Sequence, residues 1–134
     1  MGVRISGSLT GTAMELRHED SGAVIRTVPP KDNGGDGSSF SPTDLAATSL
    51  GACASTTMAL YAQRNGIPLS KITFELEKLM SASPRRLGRL VVTYRISTPA
   101  GDEDFERLVK IGKTCPVRLS LSPDVEVDET YLRG

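Results

Sequence analysis

Apolar residues recur along the chain with two periods, and each change of period marks an element. Ile72, Phe74 and Leu76 alternate with Thr73, Glu75 and Glu77, and Leu90, Val92, Tyr94 and Ile96 alternate with Val91, Thr93 and Arg95. A period of two predicts strands with one buried face. Ser81 to Gly88 is expected to join them as a hairpin loop, with Arg85, Arg86 and Arg89 solvated at its tip. Residues 2 to 28 mix β-branched and small side chains with turn signals at Gly11 and Ser21-Gly22, which predicts a meander of two or three strands. Pro29 and Pro30 end it. The run from Lys31 to Phe40 (KDNGGDGSSF) reads as a flexible loop whose glycines lack phosphate-cradle spacing.

The centre of the chain takes the helical period. Ser41 is placed to cap, Pro42 suits a first helical position that needs no N–H partner, and Asp44 favours the positive end of the helix dipole. The helix is expected to start at Pro42 and to run to Arg64 or Asn65. There Asn65-Gly66 supplies a left-handed stop and Pro68 blocks continuation. Apolar and small residues occupy so much of its circumference that burial on most sides is expected. A second helix is predicted from Asp102 to about Gly112, with Phe105, Leu108 and Val109 at core spacing, and a short third helix begins at Pro116. Val125 and Val127 start a last strand that reaches about Tyr131. Strands, a long helix, a hairpin, further helices and a strand make an α+β protein.

Composition narrows what such a protein does. At 134 residues the chain has the size of a single domain (1–134) able to bury a core without disulfide staples. Sixteen basic and sixteen acidic side chains cancel, with no long run of either sign, which argues against nucleic acid or an anionic membrane as a partner. No apolar stretch reaches membrane-span length and the N-terminus lacks a signal peptide's apolar region, so a cytoplasmic location is expected. In a reducing compartment, two cysteines suit redox chemistry better than a structural bridge.

Those cysteines are the only two, Cys53 and Cys115. Cys53 lies between Ala52 and Ala54 in the long helix, where a thiol taken alone is most simply a small inert hydrophobe. Cys115 precedes Pro116 at a helix start, where unpaired backbone N–H groups are expected to lower its pKa. Other arrangements are weaker. His18, the only histidine, sits among Arg17, Glu19 and Asp20 in what reads as an exposed turn, and no zinc spacing or serine nucleophile elbow is present.

The combination Phe40-Ser41-Pro42-Thr43-Asp44-Leu45, then Gly51-Ala52-Cys53, then Cys115-Pro116-Val117, resembles the osmotically inducible protein C and organic hydroperoxide resistance family. The resemblance covers about Gly34 to Leu121. It implies an intertwined homodimer with antiparallel sheets wrapped around long central helices and active sites at the interface. By the same resemblance, Cys53 is the peroxidatic thiol that takes an oxygen from an organic hydroperoxide, and Cys115 resolves the sulfenic acid to a disulfide. An external dithiol, lipoyl or another thiol, is the implied reductant, and no metal or flavin cofactor is implied. Hydroperoxide-resistance members place a glutamate ten residues before the first cysteine, paired with an arginine. Here Thr43 holds that position, and Asp44 beside it is the candidate activating carboxylate, with Arg17 or Arg26 as the candidate guanidinium. The histidine often found shortly before the second cysteine is replaced by Lys110-Ile111-Gly112-Lys113-Thr114, so the chain is closer to the less characterised branch. The alternative reading is a non-catalytic or redox-sensing dimer that binds an apolar small molecule between subunits.

Overall fold

The computed structural model describes all 134 residues. Its elements run β1 (Ile5–Thr10), β2 (Ala13–His18), β3 (Val24–Thr27), α1 (Pro42–Arg64), β4 (Lys71–Ser81), β5 (Arg86–Ser97), α2 (Asp102–Gly112), α3 (Pro116–Ser120) and β6 (Glu126–Arg133). Two compact units divide the chain, Met1–Ala46 and Ala47–Gly134.

In the N-terminal unit β1, β2 and β3 form the expected meander, antiparallel throughout, with Leu9 opposite Met14 and Leu16 opposite Ile25. The sheet leaves Ile5, Leu9, Val24 and Ile25 exposed. The glycine-rich run that follows is more ordered than its composition suggests: Lys31–Asn33 form a 3-10 turn, and the Gly35 backbone N–H donates to Pro30 O at 2.8 Å. A Cβ on Gly35 would lie 1.7 Å from Pro29 O, so only glycine lets these strands of loop touch. The start of α1 is a closed capping box. Ser41 Oγ accepts the Asp44 N–H at 3.0 Å, and the Asp44 carboxylate accepts the Ser41 N–H at 2.9 Å.

The rest of α1 belongs to the C-terminal unit and ends where predicted. Gly66 takes a left-handed conformation (φ 64°), and the Ile67 N–H reaches back to Ala62 O at 2.9 Å, closing the last turn. Ala47, Leu50, Ala54, Met58 and Ala62 form one buried stripe along the helix. They meet the inward row of β5, namely Leu90, Val92, Tyr94 and Ile96, together with Leu108 of α2. Burial on most sides is not what this single chain shows: Ala52, Thr56, Ala59 and Leu60 are exposed, because one sheet covers only one face of a helix.

Strands β4 and β5 are longer than their alternating cores. They pair through Lys71↔Ser97 to Ser81↔Arg86, past a register shift at Leu79/Met80, so the connecting loop is only residues 82–85. The extra length arises because pairing continues past the point where apolar and polar residues stop alternating in the sequence. Of the three arginines expected at a solvated tip, Arg89 instead pairs with Asp128 of β6, and Arg86 donates to Asp124 O at 3.2 Å. After the crossover through α2 and α3, β6 lies parallel to β5, with Tyr94 opposite Tyr131, so the order β4-β5-β6 makes a mixed sheet. The α+β class holds, and one pair in it is parallel. No helix is long and apolar enough to cross a membrane.

Candidate functional site

The fold brings together the two thiols that the sequence holds 62 positions apart. Cys53 lies halfway along α1, one position from the buried Ala54, and is half-buried. Cys115 caps α3 and is fully buried. Both are free, and Cys53 is close enough to raise the pKa of the Cys115 thiol. Two constraints press the elements this closely. Gly51, two residues before Cys53, sits under the Phe74 ring of β4, where a Cβ would lie 2.4 Å from Phe74 Cε2. Gly112, at the end of α2, admits Met58 Sδ of α1 and the Tyr131 ring of β6, each of which a Cβ would meet at 3.0 to 3.1 Å.

Cys115 occupies the cap position in extended conformation (φ −64°, ψ 151°), and its sulfur accepts the Arg118 backbone N–H at 3.4 Å. The expected lowering of its pKa does not result. Burial is the largest influence and pushes the thiol above its ordinary value, the neighbouring Cys53 adds to this, and the N–H groups of Arg118 and Val117 offset only part. A five-residue helix supplies little field against a fully desolvated sulfur.

Around the thiols stands a polar cluster that sequence reasoning missed. Glu129 of β6 is 86 % buried by its side chain (14 % exposed), and its Oε2 lies 4.0 Å from Arg118 Nε. The same oxygen accepts the Tyr131 hydroxyl at 3.2 Å. Tyr131 stacks on Tyr94, ring centroids 4.7 Å apart and 13° from parallel, and Lys113 Nζ lies 5.9 Å from the Tyr131 centroid. Burial, then the charges of Cys115, Glu129 and Cys53, hold the Tyr94 phenol far above its ordinary range, while Arg118 acts the other way. Burial and Glu129 do the same to Tyr131. A groove of about 620 Å³ opens on the Glu129 and Tyr131 side, with Phe105 and Val109 of α2 as its apolar wall. The available signals were the inward period-two row that includes Tyr94 and the Cys115-x-x-Arg118 spacing. The parallel pairing that brings Glu129 and Tyr131 alongside left no mark in the sequence.

The other expected site residues belong to the Met1–Ala46 unit. Asp44 lies in the first turn of α1 with its carboxylate in the capping box. Arg17 and Arg26 lie on β2 and β3 of the N-terminal unit. His18 Nδ1 is 2.7 Å from Ser21 Oγ at the turn after β2. No group of three His, Cys, Asp or Glu side chains converges to hold a metal ion.

A mixed α+β layer that sets two free cysteines beside a pair of stacked tyrosines is the frame of the candidate site. Residues 35–130 match the family model described as OsmC-like protein, and the chain belongs to that family. It is similar over its whole length to a Psychrobacter arcticus protein provisionally assigned to osmotic stress induction and detoxification response. That match has 31 % identity and a TM-score of 0.89, covering 98 % of this chain and 97 % of the other. Two further solved structures share the fold at lower identity. The organic hydroperoxide resistance protein OsmC of Legionella pneumophila has 19 % identity and a TM-score of 0.74, covering 98 % and 97 % of the two chains. The organic hydroperoxide resistance protein of Elizabethkingia anophelis has 16 % identity and a TM-score of 0.78, covering 100 % and 97 %. No curated protein sequence matches the chain.

Proposed function

We propose that this protein reduces organic hydroperoxides with its two thiols, Cys53 as the attacking residue and Cys115 as the resolving one. The observation that carries the proposal is the meeting, in one core cluster, of two free cysteines from distant parts of the chain, one half-buried and approachable, the other sealed in the core. The half-buried partner is suited to meet a substrate. The buried one, held protonated at neutral pH, is suited to wait for the sulfenic acid and then supply a proton with its sulfur. Family membership and the hydroperoxide-resistance relatives favour a peroxide over other oxidants. The apolar wall of Phe105 and Val109 beside the same cluster suits an alkyl-bearing substrate.

Turnover then requires an external dithiol to reopen the disulfide, and neither metal nor flavin enters the scheme. Asp44, whose carboxylate closes the capping box, fixes in this scheme the start of the Cys53 helix, and the Arg118–Glu129 pair supplies charge to the tyrosine cluster. The working unit we propose is a homodimer, in which a second copy covers the exposed α1 face and the apolar positions of the β1–β3 sheet.

Trapping tests the roles. Cys115→Ser treated with one equivalent of cumene hydroperoxide is expected to retain a sulfenic acid on Cys53, captured by dimedone and located by peptide mass spectrometry. No capture at Cys53, with wild type also unmodified, would reject the proposal.

A further inference from the structure

Tyr94 carries a buried hydroxyl that no protein atom satisfies. Tyr94 is 0 % exposed and its ring is held between Tyr131 and Phe74, yet its hydroxyl has no hydrogen-bond partner. Tyr131 beside it shows the contrast, since its hydroxyl is satisfied by Glu129 at 3.2 Å. A phenylalanine at position 94 would keep both ring contacts and leave no unmet donor, so the hydroxyl is present at a cost in stability. It lies within the field of both sulfurs and of Glu129 and Arg118. Arg118 Nε, near the same carboxylate, is likewise buried without a hydrogen-bond partner. These donors, in or beside the core cluster that holds both thiols, form a site whose hydrogen-bonding capacity no protein atom fills.

We propose that the Tyr94 hydroxyl is a catalytic hydrogen-bond donor that binds the oxygen Cys53 takes from the hydroperoxide and holds it until it leaves as water. The inference rests on the thiol-peroxidase reading above. In the first step the Cys53 sulfur bonds the terminal peroxide oxygen and the O–O bond breaks. The thiol proton ends on the departing alkoxide, leaving an alcohol and Cys53 as its sulfenic acid. In the second step the Cys115 sulfur bonds the Cys53 sulfur and the S–O bond breaks. The Cys115 proton leaves with the hydroxyl as water, so two thiols are oxidised by two electrons and one hydroperoxide is reduced. Negative charge grows on the departing oxygen in this second step, where a fixed donor in a dry site is most effective. Tyr94 keeps its own proton throughout, because burial opposes its ionisation.

Tyr94→Phe tests the proposal by comparing two oxidants. Cumene hydroperoxide closes the disulfide through an oxygen on Cys53, whereas diamide closes it without one. The variant is expected to close the bridge on the order of 100-fold more slowly with the hydroperoxide, the scale of losing one preorganised donor. Its sulfenic acid should accumulate and be captured by dimedone, while closure by diamide stays within about twofold of wild type, as a purely local loss of the donor requires. Equal hydroperoxide rates in the two proteins would overturn the role of Tyr94, as would slowing of both oxidants in proportion. Wild type that closes its bridge with diamide but never with hydroperoxide would overturn the peroxidase reading, and the Tyr94 role with it.

Discussion

Cys115 and the two tyrosines beside it carry the same physical signature, ionisable groups placed where ionisation is penalised. Burial raises Cys115 above its ordinary value of 9.0 and Tyr94 and Tyr131 above 10.0. Folded chains therefore hold protons that unfolded chains release, which makes the direction of the pH effect definite. Their contribution to stability is complete below pH 9, declines as pH rises through the unfolded values, and is lost toward the raised folded values. Thermal melts at pH 7.5 and 10.5 are expected to show a lower Tm at the higher pH, with Cys115→Ser recovering part of the fall. A Tm unchanged between the two would contradict this assignment. The Tyr94 hydroxyl bears on stability too. A buried donor without a partner costs about 1–3 kcal/mol, so Tyr94→Phe is expected to melt at or above the wild-type temperature while losing reactivity.

Elements were legible wherever local chemistry decides them. Ser41, Pro42 and Asp44 announce the start of α1, and Asn65-Gly66 its end, because caps and left-handed stops depend on a few adjacent residues. The full length of β4 and β5 was not legible, since Leu79 to Ser81 and Arg86 to Arg89 pair by backbone hydrogen bonds that no side-chain period records. Close approach between elements is equally silent until the structure is known. Gly51 reads as one small residue in a run of them, yet it is the point at which Phe74 lies against α1 just before Cys53. Gly51→Ala must displace that ring, and overpacking of this kind costs about 1–3 kcal/mol. Chemical denaturation should report a loss in that range. A change indistinguishable from zero would show that the ring is free to move aside.

At the scale of the molecule, the sequence supports the α+β class and the family through a combination of short motifs, and family membership follows from residues 35–130. The pairing of Cys53 with Cys115 came from that resemblance rather than from spacing, because contacts across 62 positions depend on topology. Charge placement was the part least visible. Glu129 and Arg118 meet through a parallel strand crossover and a five-residue helix, and neither announces itself in composition or period. The exposed face of α1 and the exposed Ile5, Leu9, Val24 and Ile25 are more apolar surface than an isolated chain of this size has reason to present. Sedimentation at micromolar concentration is expected to give a stable dimer, and a monomer would contradict the proposed assembly. The central claim is that the two thiols act in sequence on a peroxide, and peroxide consumption is its most direct measure. With a reducing dithiol in excess, wild type is expected to consume cumene hydroperoxide catalytically while Cys53→Ser does not. Equal consumption by the two proteins would contradict it.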